Sequence, residues 1–220
     1  MANTIDTAFI KQFESEVHMA YQRMGSKLRN TVRTVSNVAG SVVRFQKIGA
    51  GSASTKSRNG SVTPMELAHT VVEATMSDFY AAEYIDKLDE LKTNIDERQA
   101  VAKSAAAALG RKTDEILITA MDAGANSTQI SATGAAVTKA NLLTVFETFG
   151  SANIPEDGSR YTGGKNICYH TSAVGLGITA DVSTELNYVP EKVAHLATSM
   201  MSMGSAVIDA NGVYELLDNN

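Results

Sequence analysis

The stretch from Asn94 to Gly124 constrains this chain more than any other. The segment AVAKSAAAALGRKTDEILITAMDA contains no proline and has four consecutive alanines at 105–108. Upstream, Asn94 followed by Glu97 supplies an N-cap with an acid in the first turn. A helix of about 30 residues, rising 1.5 Å per residue, is about 45 Å long. That is more than a compact domain of this size needs, so the helix is expected to be the backbone of the fold. The alanines permit close approach of another element. Interior Gly110 costs about 1 kcal/mol relative to alanine and marks a bend or a tight contact.

The segments before the helix do not form a core of their own. Phe9, Phe13, Val17, Ala20 and Met24 recur at three- and four-residue intervals, which predicts an amphipathic helix from Thr7 to about Met24. The next segment, GSKLRNTVRTVSN, is basic and polar and reads as an extended arm needing a neighbour. SVVRFQKI (41–48) and HTVVEATM (69–76) read as strands, joined by the Gly/Ser-rich stretch GAGSASTKSRNGSVTPMELA. A two-stranded ribbon is marginal in water, so this hairpin is expected to lie on another subunit. DFYAAEYIDKLDELKTNIDERQ reads as helical in pieces because of its charge.

Beyond the helix, 124–137 reads as a loop. TKANLLTVFETFGSA reads as a second helix with Leu142, Leu143, Phe146 and Phe149 on its apolar side. ICYHTSAVGLGI and VAHLATSMMSMGSAVID alternate like strands, and Asn211-Gly212 signals a tight turn before VYELL. Helices followed by strands give an α+β class and not a repeated βαβ pattern.

Composition narrows the function. No apolar run approaches the roughly 18 residues of a membrane span, and MANTIDTAFIKQFESE has acidic residues with no apolar leader segment, so neither membrane insertion nor secretion is expected. A single cysteine, Cys168, excludes an internal disulfide and fits a reducing cytoplasm. The formal charge of −5 argues against a dedicated nucleic-acid reader, which carries a basic stripe. The absence of tryptophan leaves few stacking platforms for a small ligand.

Three chemical signals fail on inspection. Gly49 to Ser57 has glycines before Lys56-Ser57, but a phosphate loop requires Gly immediately before the lysine and a helix directly after it. Here Thr55 precedes Lys56, and Arg58, Asn59, Gly60 and Pro64 follow. His18, His69, His170 and His195 are scattered, with no spacing that suits a metal. Cys168 lies in an apolar strand without a nucleophile's setting. No catalytic residue, cofactor or metal ligand is assigned.

Four segments in order resemble one family. FIKQFESEVHMAYQRMGSKLRNTVR, DKLDELKTNIDERQ, ALGRKTDEILITAMD and STELNYVPEKVAHLATSMMSMGSAVIDANGVYELL resemble tailed-bacteriophage major capsid proteins, which have the Hong Kong-type capsid fold. The resemblance covers most of the chain. It implies an N-terminal arm at 1–40 and an extended β-hairpin loop at 41–76. It further implies a peripheral domain at 77–161, with a spine helix at about 94–123 and the start of an axial domain, and returning peripheral strands at 165–220. At 162–164 only Thr-Gly-Gly stands where relatives are considerably longer, so most of the axial domain is expected to be missing.

The implied function is a non-enzymatic subunit that self-assembles, as hexamers and pentamers, into an icosahedral head around double-stranded DNA. Portal, scaffolding and decoration proteins are further expected partners. The head belongs to the virion and is assembled in the bacterial cytoplasm. Arg29, Arg33, Arg44, Lys47, Lys56 and Arg58 are the expected intersubunit contacts. No lysine–asparagine cross-link aligns, and no scaffolding segment is expected ahead of the arm. The alternatives are an encapsulin-like compartment, which shares the fold, and a phosphate-loop enzyme built on Lys56.

Overall fold

The computed structural model describes residues 25–87, 97–125, 130–132, 138–155, 157–162 and 166–218. Its centre is helix α1 (Glu97–Gly124), whose 28 residues extend about 42 Å. The predicted N-terminal helix from Thr7 to about Met24 and the predicted Asn94 cap of α1 lie outside the described residues.

Helix α1 packs on one face of a four-stranded sheet. The sheet comprises β1 (Arg33–Ser36), β4 (Ser77–Asp86), β8 (Val174–Val189) and β9 (Ala194–Val207), in the order β1-β8-β9-β4. Strands β8 and β9 form a long antiparallel pair, β4 runs antiparallel to β9, and β1 runs parallel to β8. Side chains alternate across a strand, so β9 divides cleanly. Ala197, Ser199, Met201 and Met203 are buried on the helix side, whereas Leu196, Thr198, Met200 and Ser202 are half-buried on the other. The core joins Met201 and Met203 to Leu109, Leu117 and Met121 of α1 and to Leu176 and Ile178 of β8.

A second sheet has the order β5-β10-β7-β6, built from β5 (Ile130–Ala132), β6 (Ser159–Thr162), β7 (Ile167–His170) and β10 (Val213–Asp218). Helix α2 (Lys139–Ser151), capped by the Thr138 side chain, contributes Val145 and Phe149 to a core with Cys168, Tyr214 and Leu216. Strands β6 and β7 pair directly across the 162–164 junction, with Thr162 opposite Ile167.

The third unit is the predicted hairpin, β2 (Val42–Ile48) with β3 (His69–Thr75), in continuous register from Val42↔Thr75 to Ile48↔His69. The whole ribbon was expected on a neighbour, but its root packs on its own chain. Three strand glycines make the seat. A Cβ on Gly175 would stand 2.6 Å from the Phe45 ring, one on Gly177 would strike Met76 and Val43, and one on Gly204 would strike the Thr75 carbonyl. Only a residue without a side chain admits another element this closely. Val43, Phe45, Ala74 and Ile208 close a small core there.

Four further expectations are corrected. Ser77–Asp86 is strand β4, not helix, because pairing with ten residues of β9 outweighs local charge. The segment 25–37, expected as an extended arm needing a neighbour, is docked on its own chain through Ser26, Arg29 and β1. On α2 the buried side is Val145 and Phe149, while Leu143 and Phe146 face solvent. The loop at 124–137 contains strand β5, recruited by parallel pairing with β10.

Candidate assembly surfaces

The arm root is held at three points, each built from side chains distant in sequence. Asp114, on α1, is 3% exposed and accepts hydrogen bonds from the Ser26 hydroxyl and from the Lys27 and Leu28 amides. A buried carboxylate is tolerated when several donors satisfy it. Arg29 makes a two-pronged contact with Asp181, at 2.9 and 2.6 Å. That hydrogen bonding holds the Asp181 carboxyl below its usual range and raises Arg29 above its own. Thr31 meets the Tyr169 hydroxyl, and burial raises the Tyr169 pKa despite this bond. Gly110 is where the helix lets the arm in. A Cβ there would lie 2.8 Å from the Gly25 backbone, so the glycine marks the tight contact foreseen in the sequence.

The hairpin changes character along its length. At its root, Arg44 bonds Glu73 directly across the ladder at 2.7 Å, and Lys47 reaches Asp209 at 2.7 Å. From Gly49 to Ala68 there is no helix or strand. The Gly60 amide closes a turn on the Ser57 carbonyl, with Asn59 at a φ of 67°, a conformation asparagine tolerates. Lys56 precedes this turn and Arg58 lies within it, and both are exposed. Val62 is 69% and Met65 54% exposed, so the tip offers apolar surface beside its two cations. No helix follows Lys56, and the phosphate-loop context is missing.

The six expected contact residues thus divide. Arg29, Arg44 and Lys47 are engaged within the chain, while Arg33, Lys56 and Arg58 lie exposed on β1 and the hairpin tip. Sequence reasoning missed Asp114, Asp181 and Tyr169, whose roles depend on pairings across more than 80 residues.

Among the described residues, no group of three or more His, Cys, Asp or Glu side chains is placed to hold a metal. His170 is committed to structure, its ring nitrogens bonded to Ser172 and to the Asp157 carbonyl. Burial pushes the Cys168 thiol up to about 11, far from a nucleophile's range. A groove of about 400 Å³ beside α1 is lined by Phe79, Ile116, Met203 and Lys112, whose ammonium is paired with Glu115 at 2.7 Å. No described helix is long and apolar enough to cross a membrane.

An anchored arm, a half-free ribbon and an overlong helix form a shape suited to tiling. The family model described as phage capsid protein matches residues 5–166 and 152–218. The chain belongs to this family. It is a structural capsid protein that associates with copies of itself into a shell, and its place is the virion. No curated protein sequence matches it.

Solved structures agree on the fold. The capsid of cyanophage P-SCSP1u aligns over all of this chain and 97% of its own, with a TM-score of 0.76 at 17% identity. A Gordonia phage Cozz chain aligns over 95% of this chain and 91% of its own, with a TM-score of 0.69 at 13% identity. The mature capsid of bacteriophage PhiM1 aligns over 96% and 92%, with a TM-score of 0.68 at 10% identity.

Proposed function

We propose that this capsid protein forms the icosahedral head of a tailed phage as hexamers and pentamers, with the free part of its hairpin draped over a neighbouring copy. The exposed tip carries this reading. Val62 and Met65 are more than half exposed beyond a root that is well seated. A two-stranded ribbon gains little by standing in water, and a neighbour supplies what it lacks. Each contact can be weak because every copy makes many.

In the domain organisation that fits this reading, 1–40 is the arm, 41–76 the extended loop, 77–161 the peripheral domain with the beginning of the axial domain, and 165–220 the returning strands. Two observations support a shortened axial domain at 162–164. The family match breaks into two pieces that overlap there, and β6 pairs directly with β7 across it. Arg33, Lys56 and Arg58 are contacts to neighbours, whereas Arg29, Arg44 and Lys47 shape the elements that present them. The shell forms in the bacterial cytoplasm around double-stranded DNA, which it encloses without sequence-specific grip. Portal, scaffolding and decoration proteins complete the particle.

Electron cryo-microscopy of the assembled protein tests this. Closed shells with five- and six-fold capsomers and hairpins crossing subunit boundaries are the expected result. A monodisperse monomer at high concentration, with residues 49–68 folded onto its own body, would overturn it. Nucleic acid inside native particles separates a phage head from an enzyme-filled compartment.

A further inference from the structure

The chain contains two Asn-Gly pairs, Asn59-Gly60 in the hairpin tip and Asn211-Gly212 before β10. In such a pair the asparagine carboxamide is open to attack by the next backbone nitrogen, because glycine has no Cβ to shield it. The fold treats the two pairs differently.

Asn59 is the third residue of the turn that Ser57 and Gly60 close, and it is exposed. One hydrogen bond, from the Gly60 amide to the Ser57 carbonyl at 3.0 Å, holds the attacking nitrogen. No helix or strand lies between Gly49 and Ala68, so a single contact at the surface has to open to free it. Asn211 is exposed as well, so exposure of the carboxamide does not separate the pairs. The difference lies in the amide that follows. Gly212 is buried, ends the 3-10 turn Ala210–Gly212 with its amide on the Asp209 carbonyl at 3.0 Å, and leads into buried Val213 of β10. A Cβ on Gly212 would stand 2.5 Å from that of Ala173. The Asp209 carboxylate also accepts from the Asn211 amide and pairs with Lys47 of the hairpin root. Freeing the Gly212 nitrogen therefore disturbs a packed and bonded set.

We propose that Asn59 is a site of spontaneous deamidation and isomerisation, and that the fold protects Asn211 from the same reaction. The Gly60 nitrogen gives up its proton and bonds to Cγ of Asn59. The Cγ–Nδ2 bond breaks, and Nδ2 takes up a proton and leaves as ammonia. The five-membered imide then consumes one water. Opening at Cγ gives aspartate at position 59, and opening at the main-chain carbonyl gives isoaspartate. Ammonia is released and water consumed, with no metal, oxidant or enzyme required. Between Gly49 and Ala68 the charged residues are Lys56, Arg58 and Glu66, so a new carboxylate takes the tip from one net positive charge to none. Isoaspartate also routes the main chain through Cβ and lengthens the turn.

Full-length chain held in mildly alkaline buffer, then digested for mass spectrometry that separates aspartate from isoaspartate, provides the test. Position 59 is expected to convert, with isoaspartate the larger product, while position 211 keeps its amide. In denaturant both positions are expected to convert at similar rates. Gly60→Ala is tolerated sterically, because the Ser57 hydroxyl that its Cβ would meet at 2.6 Å is a movable side-chain end. It is expected to slow conversion at 59 about tenfold or more, since a small rise in the barrier suffices for that. Folded chain that converts at 211 as fast as at 59, or that keeps its amide at 59 while denatured chain loses it, would overturn the proposal. So would an unchanged rate in Gly60→Ala. One further arm rests on the reading that the tip lies on a neighbour: in assembled shells, conversion at 59 is expected to fall several-fold below that of free subunits. Equal rates there would remove the tip from the interface and leave the modification site standing.

Discussion

Asp114 caps a turn that lies 86 to 88 residues before it in the chain. Replacing it with alanine leaves two amides and a hydroxyl without their acceptor, at a cost of roughly 1–3 kcal/mol. Hydrogen exchange at Lys27 and Leu28 is expected to accelerate while exchange in β9 stays slow. The neighbouring clamp has a pH dependence of definite sign. Asp181 is held below its usual range in the folded chain. Its contribution is therefore fully present above the ordinary aspartate value of about 4 and is lost as pH falls below it. Protease nicking between residues 25 and 36 is expected to rise on acidification toward pH 3, and Arg29→Ala should flatten that rise. Cys168, with its thiol pushed up to about 11, is expected to stay silent to thiol reagents at pH 8 until the chain unfolds. At this scale Gly110 was legible, because a glycine inside an alanine-rich helix has few other reasons to be there. Asp114 and Asp181 were not, since an acid in a charged segment looks solvated until its partner is brought across the fold.

Elements were legible where local pattern and tertiary contact agree. The β-branched runs of β2 and β3 and the alanine-rich α1 carry their own structure in their residues. Strand β4 did not, although Phe79, Ala81 and Ile85 alternate with Tyr80, Ala82 and Tyr84 in the period of two that marks a half-covered strand. Its acids and alanines masked that alternation. On α2 the apolar residues surround much of the helix, so only the second sheet decides that Val145 and Phe149 face inward. The hairpin seat supplies a test at this scale. The atom nearest a Cβ on Gly204 is a backbone carbonyl, which cannot swing aside. Gly204→Ala is expected to cost about 1–3 kcal/mol and to lower Tm measurably. Gly150→Ala, on α2, where a Cβ meets nothing within 4 Å, is expected to leave Tm unchanged or to raise it.

For the whole molecule, root and tip of the ribbon answer to different masters. Replacing residues 50–67 with Asn-Gly, a sequence suited to a short hairpin turn, is expected to leave unfolding of the subunit nearly unchanged. The same variant is expected to yield no closed shells by electron microscopy. The fold and family were readable because several segments resemble one family in order, although the roots of arm and ribbon turned out to be seated on their own chain. The long sheet was less readable, because β4 pairs with β9 more than a hundred positions later and no local pattern marks the two as neighbours.

The parallel pairing of β1 with β8 has a consequence for synthesis. Arg33 lies opposite Gly175, about 140 residues later. At 5–20 residues per second, a ribosome needs roughly 7 to 28 s to cover that interval. During that time the arm root has no strand to pair with, the ribbon has no glycine seat, and β4 has no β9. A nascent chain therefore holds its joining parts unplaced until translation has passed the hairpin by well over a hundred codons. The wiring acts as a clock: a copy cannot present a seated ribbon to its neighbours before the strands that seat it have left the ribosome.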